Sequence, residues 1–321
     1  MHNFQELLDL FENNFSKHQF PSNPKSLYEP CSYLLNMGGK RIRPVLALMA
    51  HEMFKPLNDD IWNVALAIEL FHNFTLMHDD IMDQAPLRRG QQTVHIKYNI
   101  PTAILSGDVL SIYAYEHLNK VSNQYIKSII SIFNITAIGV CEGQQYDMDF
   151  EIKEEITVDD YLMMIEKKTS ILLGCAVKLG AITGGATESC SQELYLFGVA
   201  LGMAFQLQDD YLDSFGESQK TGKQVGGDIL ANKKTYLLAK AFELSDNAEK
   251  KELQTLLALK DKEKVEKVLQ FYQNKNIKEH TLTEISSFTK LAVDYLNNAS
   301  VLSAHKKHLY QIVTTLLVRE Y

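Results

Sequence analysis

All seven prolines of this 321-residue chain (Pro21, Pro24, Pro30, Pro44, Pro56, Pro86 and Pro101) lie in its first third, and no glycine follows Gly227. A sheet-rich fold needs turn residues roughly every 8–12 positions, whereas a helical chain runs long without them. The apolar residues agree. Leu253, Leu256, Leu257, Val265, Val268 and Leu269 recur at helical spacing among Lys and Glu. The same pattern predicts helices over 61–83, 104–118, 123–149, 159–184 and 191–215. Several are apolar nearly all round, which places them at the centre of a bundle. With no composition break, linker or short repeat, the expectation is one all-α domain over 1–321, built as a large bundle of roughly ten helices.

Apolar residues make up 45% of the chain and charged ones 22%, enough for a sizeable core and too balanced for disorder. The net charge of −8 excludes a nucleic-acid surface, which would need surplus Lys and Arg. It leaves open an anionic ligand met by metal ions or a local basic cluster. Cys31, Cys141, Cys175 and Cys190 form no CxxC pair and read as reduced core thiols. The segment MHNFQELLDLFENNF lacks the basic start and apolar core of a signal peptide. The longest uninterrupted apolar runs, such as 195–207, are too short for a bilayer. A cytoplasmic protein without a membrane span is expected.

The informative chemistry lies in two places. LMHDDIMDQAPLRRG carries Asp79, Asp80 and Asp83, and FQLQDDYLDSFGE carries Asp209, Asp210 and Asp213. Each is a D-D-x-x-D at the end of an apolar helical stretch. Positions i and i+4 share a helix face, so Asp79 and Asp83 sit about 6 Å apart, as do Asp209 and Asp213. Crowded carboxylates at a helix C-terminus repel one another and oppose the macrodipole unless a cation lies between them. Hard oxygen ligands suit Mg²⁺, which keeps waters and prefers a partner phosphate. Two such faces opposed across a cavity would hold Mg²⁺ around a diphosphate and neutralise its charge as it leaves carbon.

A basic set lies alongside. NMGGKRIRP holds Gly38, Gly39, Lys40, Arg41 and Arg43, and two glycines before three cations allow close approach to a phosphate. Arg88 and Arg89 follow the first aspartates. TGKQVGGDILANKKTY adds Lys223, Asp228 and Lys233 on what reads as a glycine-rich flap over 216–234, and Lys168 and Thr169 open another apolar run. His72 lies two turns before Asp79 on the same face. His78 reads as a satisfied buried imidazole.

Taken in order, GGKRIRP, DDIMD with RR, KKTS, FQLQDD with Asp213, and GK…D…NKKT resemble the trans-type polyprenyl diphosphate synthases, the farnesyl and geranylgeranyl diphosphate synthase-like enzymes. The similarity runs from about residue 30 to residue 240. It implies an isoprenoid-synthase bundle around a central cavity, a homodimer, and condensation of isopentenyl diphosphate with an allylic prenyl diphosphate. By this resemblance Lys40, Arg43, His72 and Arg89 hold isopentenyl diphosphate, while Arg88, Lys168, Lys223 and Lys233 hold the allylic diphosphate. Asp79, Asp80, Asp83, Asp209, Asp210 and Asp213 bind that diphosphate through Mg²⁺, a group of about three ions. Thr169 and Gln206, with Lys168, are the implied catalytic residues beside the developing cation, and Gln144 and Asp147 match a further motif. Two departures stand out. Asn232 replaces the glycine common before the flap lysine, and no proline follows Thr235.

The growing chain would run from Asp79 back along its helix, where each turn climbs about 5.4 Å, close to one isoprene unit. Phe74 lies five residues before Asp79 and Phe71 eight, with Thr75 at the fourth position. An aromatic floor at the fifth position resembles the short-chain enzymes, so a fifteen- or twenty-carbon product is expected. Three rivals remain. A class I terpene cyclase would use Asp209, Asp210 and Glu217, but Asp213 occupies its hydroxyl position. A di-iron bundle would use Glu69 and His72 as an E-x-x-H, a pair it needs twice. A non-catalytic subunit would usually lack one aspartate motif.

Overall fold

The computed structural model describes residues 1–216 and 226–317. They are almost wholly helical. In chain order the elements are α1 (Phe4–Phe15), α2 (Lys25–Leu35), α3 (Ile42–Glu52), α4 (Asp59–Met82), the hairpin β1 (Leu87–Arg88) and β2 (Gln91–Gln92), and the single turn α5 (Val94–Lys97). There follow α6 (Ile100–Leu118), α7 (Asn123–Glu151), α8 (Val158–Ile165), a π-helical turn (Glu166–Ser170), α9 (Ile171–Gly184) and α10 (Glu188–Phe215). The chain ends in the single turn α11 (Gly227–Leu230), α12 (Tyr236–Glu243), α13 (Asn247–Leu257), α14 (Asp261–Asn274), α15 (Ile277–Asn298) and α16 (Ser303–Leu317). It divides into two compact units. One holds Met1–Asn134, Cys175–Tyr195 and Ala299–His308, and the other holds Ile135–Gly174, Leu196–Asn298 and Leu309–Tyr321.

In the first unit α4 is the central helix. Asn58 caps it by accepting from the Ile61 amide at 3.3 Å, and Asp59 and Asp60 in its first turn complement the macrodipole. Ile61, then Val64 through Phe71 without a break, are buried, which accounts for the run being apolar on every side. Its main neighbours are α6 and α3. The turn into α3 uses Gly38 at φ 76° and Arg41 at φ 47°, which point the Arg41 guanidinium inward. There it bonds Glu69 at 2.6 Å, Glu12 at 2.9 Å and the Leu35 carbonyl at 3.0 Å, over the Phe15 ring. Arg41, part of the sequence-level basic cluster, is thus a buried structural cation.

The second unit has one core of Phe150, Tyr161, Met164, Ile165, Met203, Leu207, Tyr236 and Ile285, and another of Leu237, Leu238, Phe242, Leu253, Val268 and Tyr272. Thr157 and Asp160 form a capping box at the start of α8. The π turn interrupts what the sequence presents as one helix over 159–184.

Two expectations need correction, and a third falls mostly outside the described residues. Among the cysteines, Cys31, Cys175 and Cys190 are buried but Cys141 is exposed. Of the stretch read as a flap over 216–234, residues 217–225 lie outside the described residues, and Gly227–Leu230 form the turn α11. Finally, α7 is long and apolar enough to cross a bilayer by length and composition, with a mean hydropathy of 1.4 over 18 residues and 33% of that window buried. Counting only uninterrupted apolar runs missed it, because its polar residues are scattered through the helix.

Candidate active site

The last two turns of α4 and the hairpin after it carry the first aspartates. Asp83 caps the helix, its amide bonded to the Asp79 carbonyl at 2.8 Å, so Asp79 and Asp83 do share a face. Asp80 points elsewhere. It is 2% exposed and takes a forked pair from Arg88, Nε to Oδ2 at 2.9 Å and Nη2 to Oδ1 at 2.7 Å. Burial raises the Asp80 carboxyl even against the Arg88 guanidinium. Arg88 Nη2 also reaches Asp79 at 3.8 Å. The tip of the hairpin is Arg89 and Gly90, at φ 52° and 76°, the pair of positive angles that a two-residue hairpin turn requires. This turn carries the Arg89 guanidinium to Gly39, where a Cβ would crowd it at 3.0 Å. The close-approach role expected for the glycines is therefore played against the protein's own arginine.

Arg43 Nη1 donates to His72 Nε2 at 3.2 Å. That fixes the imidazole neutral, with its proton on Nδ1. Burial, then Arg43, Arg89, Arg88 and Arg41, hold His72 far below its ordinary value. Burial also lowers Arg43 to about 10, and burial with Arg41 and Arg88 lowers Arg89. Arginines that depress one another in this way mark a strongly positive patch, still fully charged at neutral pH, that an anion would relieve. Lys40 is exposed at its edge.

Glu69 cannot serve a di-iron pair. Its Oε1 is taken by Arg41 and by Asn73 Nδ2 at 3.0 Å, and His72 faces four arginines. Metal cations would be repelled there.

In the second unit the pattern of the aspartates repeats. Asp209 is exposed, whereas Asp210 is 5% exposed and bonded on every side. Its Oδ2 accepts from the Tyr161 hydroxyl and the Tyr236 amide, and its Oδ1 accepts from Gln206 Nε2 at 3.1 Å. Burial raises its carboxyl to about 7, opposed by Tyr161, Gln206 and Lys233. Gln206 in turn accepts from the Thr169 hydroxyl at 3.3 Å, and Lys168 Nζ bonds Asp147 at 2.5 Å. Lys168 and Thr169 lie on the π turn, a local widening common at functional sites. Gly143 of α7 makes room for it, since a Cβ there would stand 2.3 Å from the Lys168 amide nitrogen.

Asp213 binds the start of α11, its carbonyl accepting from the Gly226 amide at 2.7 Å and its Oδ2 from the Asp228 amide at 3.0 Å. Both departures from the family pattern have a local reason. Asn232 sits at φ 55°, a conformation asparagine tolerates, and its Oδ1 accepts from Lys264 at 2.7 Å. The residue after Thr235 spends its amide on Asp210, a bond proline could not make. Lys233 is exposed, and Lys223 lies outside the described residues.

The floor residues also meet. Phe71 is buried against Phe133 and Phe74, with ring centroids 5.1 and 5.4 Å apart. What the sequence could not distinguish is which aspartate of each motif is engaged by the protein, nor that Tyr161 and Glu69 take part. The only signal for Glu69 was its spacing to His72.

The donor set fits Mg²⁺. Asp79, Asp83 and Asp209 bring hard carboxylate oxygens, exposed at Asp83 and Asp209 and partly buried at Asp79. No three such groups form a ready cage among the described residues, as suits an ion held largely by water and phosphate.

Comparison with known proteins agrees with this chemistry. The polyprenyl synthetase family profile matches residues 24–275. A geranylgeranyl diphosphate synthase of Methanosarcina mazei is 41% identical over 224 residues, 69% of either chain. A short chain isoprenyl diphosphate synthase of Methanothermobacter thermautotrophicus is 34% identical across 93% of this chain and 92% of its own. A crystal structure of a geranylgeranyl pyrophosphate synthase superposes with a TM-score of 0.94 at 41% identity, covering 100% of both chains. The chain belongs to the polyprenyl synthetase family.

Proposed function

We propose that this protein condenses isopentenyl diphosphate with an allylic prenyl diphosphate, giving a short-chain trans-prenyl diphosphate of fifteen or twenty carbons. The observation that carries this reading is the repeated division of labour in the two D-D-x-x-D motifs. In each, the second aspartate is buried and fixed by protein donors, while the first is more accessible, partly so at Asp79 and exposed at Asp209. The names of the relatives, geranylgeranyl and short chain isoprenyl diphosphate synthase, support the same chemistry, and the first of them supports twenty carbons.

In this scheme Arg43, His72, Arg89 and Lys40 bind isopentenyl diphosphate. Lys168, Lys223, Lys233 and Arg88 bind the allylic diphosphate. Mg²⁺, held by the aspartates, would neutralise the leaving diphosphate. Asp80 acts by holding Arg88, and Asp210 by fixing the flip of the Gln206 amide. With its proton given to Gln206, the Thr169 oxygen keeps its lone pairs for the positive charge that develops on the allylic carbon. Phe74 and Phe71 limit the tail.

A homodimer is part of the proposal. Exposed Ile104, Leu105 and Ile112 on α6, and Ile135 and Ile138 on α7, are apolar surface that a second copy would cover. The exposed thiol of Cys141 suits a reducing compartment, the cytoplasm. The test is incubation with labelled isopentenyl diphosphate, Mg²⁺ and each of the five-, ten- and fifteen-carbon allylic primers. Mg²⁺-dependent formation of a fifteen- or twenty-carbon product is expected. Folded protein that condenses none of the primers would overturn the reading.

A further inference from the structure

His78, the residue immediately before the first aspartate, has its ring locked on two sides. Its Nε2 donates to the Ile104 carbonyl of α6 at 3.0 Å. It reaches that carbonyl because residue 107 is glycine: a Cβ on Gly107 would lie 2.3 Å from Nε2 and 2.5 Å from Cδ2. The imidazole therefore rests directly on the backbone of α6. Its other contact is with Phe74, one helical turn earlier, at 4.8 Å between centroids and 68° between planes. Phe74 in turn leans on Phe71 at 5.4 Å, and Phe71 on Phe133 at 5.1 Å.

The four rings form one chain, continued beyond the buried Phe133 by Tyr115 at 5.2 Å and ended on the other side by a histidine bonded to main chain. Phe74 is half-buried and has its neighbours on both sides along α4, so its ring cannot swing toward either. Removing Phe71 opens one side and removing His78 the other. Phe71 is itself packed by a ring from another helix. His78 is held by the Ile104 bond, the glycine seat and Asp108 Oδ1 at 3.8 Å from Nε2, and at 19% exposure against 3% for Phe71 it is the more accessible end.

We infer that His78 is a specificity-positioning residue, setting product length by holding the Phe74 ring in place across the path of the growing chain. The inference rests on the prenyl-elongation reading, and it assigns His78 a role distinct from binding either diphosphate. No ligand contact is needed for it. The imidazole acts through Phe74 alone.

That last statement sets the test. His78→Ala, assayed with isopentenyl diphosphate, Mg²⁺ and the allylic primers, is expected to raise the proportion of product one isoprene unit longer by roughly 2- to 10-fold, the range that losing one aromatic contact brings. Phe74→Ala is expected to lengthen the product more. The double variant, Phe74→Ala with His78→Ala, should match Phe74→Ala alone, because the group through which His78 acts is already gone. If His78→Ala does not accumulate as folded protein, His78→Ser is read in the same way. Active His78 variants with an unchanged product distribution would overturn the inference. So would a double variant whose product is longer than that of Phe74→Ala. Absence of condensation by the unsubstituted protein is a different result and counts against the elongation reading instead.

Discussion

Glu69 carries a carboxylate where almost no water reaches it, and its charge is balanced by one guanidinium. Arg41 is equally enclosed, so each is the other's main compensation for lost solvation. Breaking such a pair from one side strands the remaining charge, at a cost of about 3–5 kcal/mol. Glu69→Gln should therefore lower the unfolding free energy measured in urea by that amount, while Glu12→Gln, at the exposed end of the same arginine, should cost well under half as much. Equal losses would show that the second ion pair matters as much as the first. Asp80 poses a different question. Its forked bond to Arg88 predicts that Asp80→Asn and Arg88→Ala impair condensation similarly, and that the double variant is little worse than either. Asp79→Asn should instead raise the Mg²⁺ concentration needed for half-maximal rate. Fully additive losses for Asp80 and Arg88 would separate them. All six aspartates were legible in the sequence as two acidic helix ends. Their different duties were not, because Arg88 lies eight residues from Asp80, Tyr161 lies 49 residues from Asp210, and no spacing rule finds Tyr161.

The five helices read from periodicity are present as α4, α6, α7, the run from α8 to α9, and α10, with ends shifted by at most four residues. At the starts of α4 and α6 the shift has a capping cause. Asn58 starts α4 before the apolar pattern begins, and Asn99 caps α6, whose first turn also carries Pro101. Two features were invisible. The hairpin is too short for an alternating pattern to register, and a π turn adds one residue to a helix without changing its composition. That turn is still the most consequential part of the second unit, since it carries Lys168 and Thr169. Gly143 faces its backbone, not a movable side chain: an added Cβ would meet the Lys168 nitrogen at 2.3 Å and the Lys167 carbonyl carbon at 2.7 Å. Gly143→Ala should cost about 1–3 kcal/mol by overpacking. It should also lower kcat more than a loss of that size implies, because Lys168 and Thr169 move with the turn. Normal kcat in a destabilised Gly143→Ala protein would show that the close approach serves packing only.

For the whole molecule, buried histidines set the acid limit of stability. Burial lowers His51 and His117 to about 4; the Pro56 bond opposes it at His51, and Lys120 adds to it at His117. His72 and His18 are lowered too, by burial first. A histidine depressed in the fold contributes stability above its unfolded value of 6.5, and that contribution is lost as pH falls from there toward 4. Each of the first two is worth on the order of 3 kcal/mol. Asp210 works in the opposite sense, because a carboxyl raised to about 7 gains protons on folding across the same window. Four imidazoles outweigh it, so the melting temperature should fall between pH 6.5 and 4, and His117→Gln should flatten that fall.

Association with a second copy makes the remaining claim on the whole chain. Ile112 is 62% exposed, near Tyr115 at 37%, and Ile135 is 70% exposed, near Ile138 at 61%. α7 owes its bilayer-like hydropathy partly to such side chains. A lipid surface and a protein surface would both cover them, but only a second copy would be saturable and of fixed stoichiometry. A charge placed in the middle of an apolar interface is left without a partner and weakens it by several kcal/mol. Ile112→Glu or Ile135→Glu should therefore convert a dimer to monomer at micromolar concentration in sedimentation velocity, with helix content unchanged. A native protein that sediments as a monomer, or glutamate variants that remain dimers, would send the search for the covering surface to lipid, where vesicle flotation of the native chain gives the answer.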